Sequence, residues 1–170
     1  HAPGPTPPTL HLPATGTVAS ENHTLAGMGY LNTGALQNIS GNNTWTGDVV
    51  LSAASRIQSD QDTLTLSSIA ITGTNTDLDV RGAGNTTLTT LVNTGTGVLT
   101  KEGTGTLTLN GSGSSGYTGT TTVFNGVLSL QAAGGLGATT AGTVVKSGAA
   151  LEISYATYGG SLTTLAEPLS

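Results

Sequence analysis

The chain has 170 residues, of which 35% are hydrophobic, 8% charged and 4% aromatic, and its formal net charge at pH 7 is −5. This length suits one domain with a substantial core. With only four Lys and Arg residues, the chain lacks the clustered basic surface that a nucleic acid or an anionic membrane would require. No apolar run approaches the ~20 residues of a membrane-spanning helix, and the absence of Cys excludes disulfides and cysteine metal sites.

The first 24 residues differ in composition from the rest. They contain all three histidines and five of the six prolines. Proline fixes φ and removes a backbone donor, so we predict an extended arm or linker over residues 1–24, with residues 1–13 outside any sheet. The chain begins at His1 with neither Met nor an apolar leader, as expected for a secreted protein after removal of its signal peptide.

From Leu25 onward, apolar and polar residues alternate, as in Leu64 and Leu66 or Leu107 and Leu109. This period of two, rich in Thr and Val, predicts half-buried strands with the apolar side chains inward and Thr outward. No window keeps the spacing of an amphipathic helix, and Gly interrupts every long segment, so the fold is predicted to be all-β. Candidate strand centres fall near residues 37, 50, 57, 65, 71, 79, 90, 99, 108, 122, 129, 144, 151 and 163.

The spacing of these centres fits coils of three short strands joined by Gly, Asn-Gly and Ser-Gly turns. A repeat of ~22 residues divides residues 25–170 into about six to seven coils of a β-solenoid. Its interior would be a stack of Leu, Ile and Val side chains. The aromatic residues Trp45, Tyr117 and Phe124 are predicted to cover loops or coil junctions.

The most informative motif lies in residues 98–131, VLTKEGTGTLTLNGSGSSGYTGTTTVFNGVLSLQ. Its order of Leu-Thr-Lys, Gly-Thr-Gly, Leu-Thr-Leu, Tyr-Thr-Gly, Thr-Thr-Val and Asn-Gly-Val-Leu closely resembles the passenger-associated transport repeat, or autotransporter-associated β-strand repeat, of bacterial surface proteins. Residues 142–153 look like the segment that often follows this repeat, and residues 34–67 are similar to a variant of it. The resemblance implies a right-handed parallel β-helix that serves as the passenger stalk of a secreted surface protein. The repeat normally lies inside far longer chains.

Two other motifs are weaker. Residues 111–116 match the G-x-G-x-x-G string of phosphate-binding loops, but no predicted helix follows them. Residues 12–16 spell the sortase motif Leu-Pro-Ala-Thr-Gly, yet neither the apolar segment nor the basic tail of a sortase signal follows. We therefore expect neither a nucleotide site nor a sorting signal.

Paired carboxylates form the candidate metal site. Asp60 with Asp62, and Asp77 with Asp79, each place two carboxylates on one face of a strand or turn, which makes them weak Ca²⁺ candidates. The Gly-rich repeat of calcium-binding β-rolls is absent, so a solvated face is the preferred interpretation. Five Asn-x-Ser/Thr sequons, which would matter in a glycosylating host, lie at Asn22, Asn38, Asn42, Asn85 and Asn110.

The functional hypotheses come from three classes. We expect a non-enzymatic, extracellular structural rod on a bacterial cell surface, without catalytic residues or a cofactor. The first alternative is an adhesin that binds glycan or host protein. It would bind through a face lined with Thr and Asn or through exposed aromatic side chains, namely Trp45, Tyr117, Tyr155 and Tyr158. The second, a polysaccharide-degrading enzyme, would need carboxylates clustered with a basic residue, whereas the four basic residues are scattered and every His lies in the first 24 positions.

The predicted rod has an assembly problem at its ends. A solenoid exposes unpaired backbone groups and an open core at each end, and neither end of this sequence shows a polar cap. We therefore predict head-to-tail stacking into a homopolymer, with the Pro-rich arm reaching along the neighbouring copy. In a longer chain, the same stacking would join neighbouring repeats. Neither nucleic acid nor membrane insertion is expected.

Overall fold

The computed structural model of the chain describes residues 9–12, 14–18, 21–68 and 70–155. These residues form a parallel β-solenoid of about six turns, and its one helical element is a single 3-10 turn at Tyr30–Asn32. The strands are β1 (Leu10–Leu12), β2 (Gly16–Val18), β3 (His23–Gly27), β4 (Leu36–Asn38), β5 (Asn43–Trp45), β6 (Val49–Ser59), β7 (Thr63–Leu66), β8 (Ala70–Gly73), β9 (Leu78–Arg81), β10 (Asn85–Leu88), β11 (Leu91–Asn93), β12 (Leu99–Lys101), β13 (Thr106–Leu109), β14 (Thr121–Val123), β15 (Gly126–Leu130), β16 (Thr143–Val145) and β17 (Ala149–Ile153).

The first four coils contribute strands to three faces, and the later coils contribute strands to two. The first face has the order β1-β4-β6-β9-β12-β14-β16, and the second has the order β2-β5-β7-β10-β13-β15-β17. The third face is shorter and contains β3, the first half of β6, β8 and β11. The long strand β6 belongs to two faces, because Val49–Leu51 pairs with β8 while Ser55–Gln58 pairs with β9.

The core consists of columns of side chains that run along the solenoid axis. One column on the second face passes through Trp45, Leu66, Leu88, Leu109 and Leu130, one residue from each successive strand. All five side chains are buried. Successive members are 21 or 22 residues apart, which confirms both the predicted repeat and the predicted aliphatic stack.

The N-terminal boundary of the solenoid differs from the prediction. Strand β1 pairs with β4, β2 with β5 and β3 with β6, so residues 10–12, 16–18 and 23–24 belong to the first coil and not to an arm. The physical reason is the position of the prolines: Leu10–Leu12 lies between Pro8 and Pro13 and contains none, so every residue of β1 keeps its backbone donor. Residues 1–8 lie outside the described residues, as does the predicted strand centre near 163.

The sequence pattern predicted that Thr side chains face outward, but some of them are buried. Thr86 is buried in a core column between Leu64 and Leu107. Thr121 is also buried, and its hydroxyl lies 2.6 Å from the Tyr117 hydroxyl, with which it shares a hydrogen bond. Thr fits such positions because its shape matches that of Val, and at Thr121 the hydroxyl also has a hydrogen-bond partner inside.

At the corners, where the strand ladders are interrupted, Asn side chains join neighbouring coils. The Oδ1 atoms of Asn42, Asn75 and Asn85 accept hydrogen bonds of 3.0–3.1 Å from backbone N–H groups 21 residues later in the chain. Each bond replaces a ladder hydrogen bond that the turn would otherwise lose. The corners are thereby held in the same register as the sheets.

Candidate functional surfaces

The first acidic pair lies in the corner after β6. The Asp60 carboxylate accepts hydrogen bonds from the side-chain amides of Gln37 (2.5 Å) and Gln58 (2.6 Å). Asp62 accepts one of 2.7 Å from the Gly41 N–H of the preceding coil. These carboxylates therefore join coils, and protein donors occupy oxygens that a Ca²⁺ ion would need.

The second acidic pair lies at the start of β9. Asp77 accepts a hydrogen bond of 3.0 Å from the Val98 N–H, and Asp79 forms a 2.5 Å ion pair with Arg56. Burial raises the pKa of the Asp79 carboxyl, while Arg56 acts in the opposite direction. Within the described ranges, no three His, Asp or Glu side chains are grouped so as to hold a metal ion.

The two weaker motifs are parts of the solenoid coils. Residues 111–116 are an irregular segment between β13 and β14, and a strand follows them where a phosphate site would have a helix. Leu12, the first residue of the sortase-like string, is buried as part of β1. Gly16, its last residue, begins β2. The string thus connects two strands of the first coil.

Lys101 is a charged residue inside the core. It takes the position of an aliphatic residue between Val80 and Val123 in a column of the first face, and it is 2% exposed. Its Nζ donates hydrogen bonds to the backbone carbonyls of Glu102 (2.7 Å), Gly103 (2.8 Å) and Asn125 (3.2 Å). The ammonium group therefore binds the carbonyls of two stacked corners together.

Burial lowers the pKa of Lys101 to about 8, because desolvation disfavours the ammonium form more than Asp79 and Glu102 favour it. In the unfolded chain the same group titrates near 10.5. Between these two values the unfolded state binds more protons than the folded state. The free energy of unfolding should therefore rise with pH from about 8 to 10.5.

This pH dependence is measurable by urea unfolding across that window. We expect the rise to be present in the natural chain, lost in Lys101→Met and retained in the exposed control Lys146→Met. Comparing variants removes every contribution to the pH dependence that the natural chain and the variants share. Parallel pH profiles for the natural chain and Lys101→Met would contradict the assigned environment of Lys101.

Two of the four aromatic residues proposed for an adhesin lie inside the molecule. Trp45 and Tyr117 are fully buried, which contradicts their predicted exposure. Trp45 lies in a strand column, where its ring meets His23 edge-on at 4.9 Å. Tyr155 is half-buried, and Tyr158 lies outside the described residues. Phe124, in contrast, is 42% exposed.

A groove of about 280 Å³ lies on the outer side of the first face. Its apolar wall includes Met28, Ala54, Val98 and Phe124, and its lining also includes the polar residues Ser55, Asp77, Asp79, Thr100 and Glu102. The groove crosses several coils, so sequence analysis could not find it. The one signal was an apolar residue at an outward position, as with Val98 and Phe124.

The end coils expose part of the core. At the C-terminal end of the described solenoid, Ile153 is 48% exposed and Leu151 is half-buried. At the N-terminal end, Leu10 and Val18 are half-buried, and a cavity of about 260 Å³ borders Leu10 and Leu25. Strands β2 and β17 are the outermost strands of their sheet, as β1 and β16 are along the main path of the other.

Of the five sequons, Asn38 is fully buried. Its side-chain amide donates hydrogen bonds to Gly41, Ser59 and Gln61, and its Oδ1 accepts one from Asn43. A glycan at Asn38 is therefore incompatible with the folded chain. The side chains of Asn22, Asn42 and Asn85 each accept a hydrogen bond from a neighbouring coil.

Comparisons of the chain with known protein families, curated proteins and solved structures found no match. Across the described ranges, none of the helical structure is long and apolar enough to cross a membrane.

Proposed function

We propose that the chain is a non-enzymatic structural rod whose coils stack end to end, as a filament subunit or as a segment of a surface stalk. The observation that carries this proposal is the course of the core columns, which run in register through every coil and arrive partly exposed at both ends. Val18 begins the column that ends at Ile153, and Leu10 begins the one that ends at Val145. A further copy placed on either end would extend the same columns.

Stacking has a clear driving force. It would bury the exposed parts of Ile153 and Leu151 and extend the backbone pairing beyond the outermost described strands. Because the two ends differ, the contact is heterologous, and repetition of such a contact yields a filament unless it closes into a ring. Seven strands at about 4.8 Å spacing make each copy about 30 Å long.

We propose an extracellular, bacterial surface location for this rod. The support is the resemblance of residues 98–131 to the repeat of bacterial surface proteins. The described contacts also support a role without catalysis. Arg56 is paired with Asp79, and Lys101 is bonded to backbone carbonyls, so neither has the free geometry of a catalytic base.

The stacking proposal predicts different effects for two exposed aliphatic residues. Ile153 (48% exposed) lies at an end of the solenoid, and Val50 (41% exposed) lies on the side of the third face. We expect Ile153→Glu to abolish polymers, because a charge would enter the joint, and Val50→Glu to leave them intact. Light scattering and electron microscopy of purified chains measure the outcome. A full-length chain that stays monomeric at high concentration would refute stacking between separate chains.

An adhesin is the second candidate, and one observation favours it. The turn at Tyr30–Asn32 exposes Tyr30 and 75% of Leu31, and Leu31 has a positive φ of 52°. A bulky residue held in this conformation and exposed to solvent is typical of a binding tip. Loss of binding to host proteins or glycans in a Leu31→Ser variant, with unchanged polymerisation, would favour the adhesin.

A further inference from the structure

We propose that the groove on the first face is the docking site for the proline-rich segment 1–8 of the adjacent copy in the stack. This inference rests on the proposed end-to-end stacking and adds the residues that fasten the joint. Four of the eight residues ahead of Thr9 are prolines. Segments of this kind favour the polyproline II conformation, which binds to apolar grooves that contain aromatic side chains.

The groove has the chemistry that such a segment requires. Phe124 and Val98 offer apolar surface for proline rings, and both are exposed. Polyproline II leaves its backbone carbonyls without internal partners. The Thr100 hydroxyl in the groove and the half-exposed Arg81 beside Glu102 supply donors for those carbonyls.

Thr9, the residue that follows the segment, lies on the side of the solenoid that carries the groove. Leu10 pairs with Leu36, and this inward register continues through Ile57 and Val80. Thr9 precedes Leu10 by one residue, so it lies in the outward row of side chains. The same row contains Arg56, Asp79 and Thr100. Asp79 and Thr100 line the groove, so a stacked neighbour would present its groove directly below Thr9.

The lengths agree. In a stack, Phe124 of the copy below lies two coils beneath Thr9, and Val98 and Thr100 lie three coils beneath it, which corresponds to about 10 and 14 Å. A polyproline II segment rises about 3.1 Å per residue, so eight residues span about 25 Å and Pro5 reaches about 12 Å from Thr9. Pro5 would therefore lie between Phe124 and Thr100 of the neighbour.

Occupation of the neighbour's groove is favoured over occupation of the chain's own groove. The turn at Tyr30–Asn32 packs against Thr9 from the second coil, where the Thr9 hydroxyl accepts a 2.6 Å hydrogen bond from the Tyr30 N–H. Gly29 approaches the same hydroxyl so closely that a Cβ there would lie 2.8 Å away. This turn stands between Thr9 and the groove of its own chain.

The absence of Cys from the chain makes disulfide cross-linking a direct test. Full-length Pro5→Cys is mixed with full-length Thr100→Cys under mild oxidation, and in a parallel sample with the control Thr87→Cys, which lies on the second face. We expect interchain disulfides in the first mixture and at most about one tenth of that yield in the second, which corresponds to 1.4 kcal/mol of preference. Adding Phe124→Ala to the Thr100→Cys chain should also lower the yield of interchain disulfides about tenfold.

The outcomes separate this inference from stacking itself. Polymers that form without a preference for Thr100→Cys over Thr87→Cys would overturn the docking site and leave the stack standing. An intrachain disulfide in the double variant Pro5→Cys/Thr100→Cys, with none between chains in the mixture, would show that the segment binds its own groove and would also overturn the proposal. Absence of polymers at every concentration would overturn both.

Discussion

Replacing Leu109 with Asp should unfold the chain or cost at least about 4 kcal/mol of unfolding free energy. Leu109 is buried in the column between Leu88 and Leu130, without a cation among its stacked neighbours. A carboxylate there would be desolvated and unpaired. Since domains of this size are stable by only about 5–15 kcal/mol, one such charge removes a large share of the total. Circular dichroism and urea unfolding measure the loss.

The matched control is Thr108→Asp, one position away on the same strand. Thr108 points outward, between Thr87 and Ser129 of the neighbouring strands, and is half-buried. We expect this variant to remain folded and to lose no more than about 1 kcal/mol. A soluble, fully folded Leu109→Asp, or equal losses in the two variants, would show that the register assigned to β13 is wrong.

Gly105→Ala should produce the second large effect, for a steric reason. A Cβ at Gly105 would lie 1.8 Å from the carbonyl oxygen of Gly84 in the coil below, and backbone atoms cannot yield as a flexible side chain would. Relief requires the two coils to separate at this corner, where the Gly105 N–H donates a 3.0 Å hydrogen bond to Gly82. We expect a loss of about 3 kcal/mol, at the upper end of the range for overpacking.

Two glycines serve as controls for this substitution. Gly16→Ala should change stability by less than about 0.5 kcal/mol, because the nearest atom, Asn43 Oδ1, would be 4.0 Å from the new Cβ. A Cβ at Gly148 would have no atom within 4 Å, but Gly148 has a φ of 85°. Gly148→Ala therefore measures only the cost of placing Ala at a positive φ, about 1–2 kcal/mol. If thermal unfolding gave the same loss of stability for Gly105→Ala as for Gly16→Ala, the close packing of the corners would be disproved.

The positions of most strands follow from local pattern alone. The alternating pairs at Leu64 and Leu66, Leu107 and Leu109, and Leu128 and Leu130 all face the core. Twelve of the fourteen predicted centres fall inside a strand, and the one near residue 90 falls between β10 and β11. Period-two alternation is a property of a single strand, so it is readable without knowledge of the neighbours.

The first coil was missed because its strands are too short for alternation to be recognised. The strands β1 and β2 have only three residues each, and they are strands because β4 and β5 present edges to pair with. The prolines that flank β1 dominated the local signal, although none lies within that strand. An extended segment and an edge strand have similar backbone preferences, and only the partner strand distinguishes them.

The sequence by itself therefore determined the all-β class, the repeat of about 22 residues and the inward Leu pairs. The tertiary structure decided which residues become neighbours across coils. Lys101 lies in a core column because the register pairs it with Val80 in one neighbouring coil and Val123 in the other. Phe124 borders a groove because the coils bring Met28 and Val98 close to it from other parts of the chain. The coils differ in length, with 27 residues from Gly16 to Asn43 and 21 from Asn43 to Leu64. Contacts between coils thus depend on the register that packing selects, which local alternation does not encode.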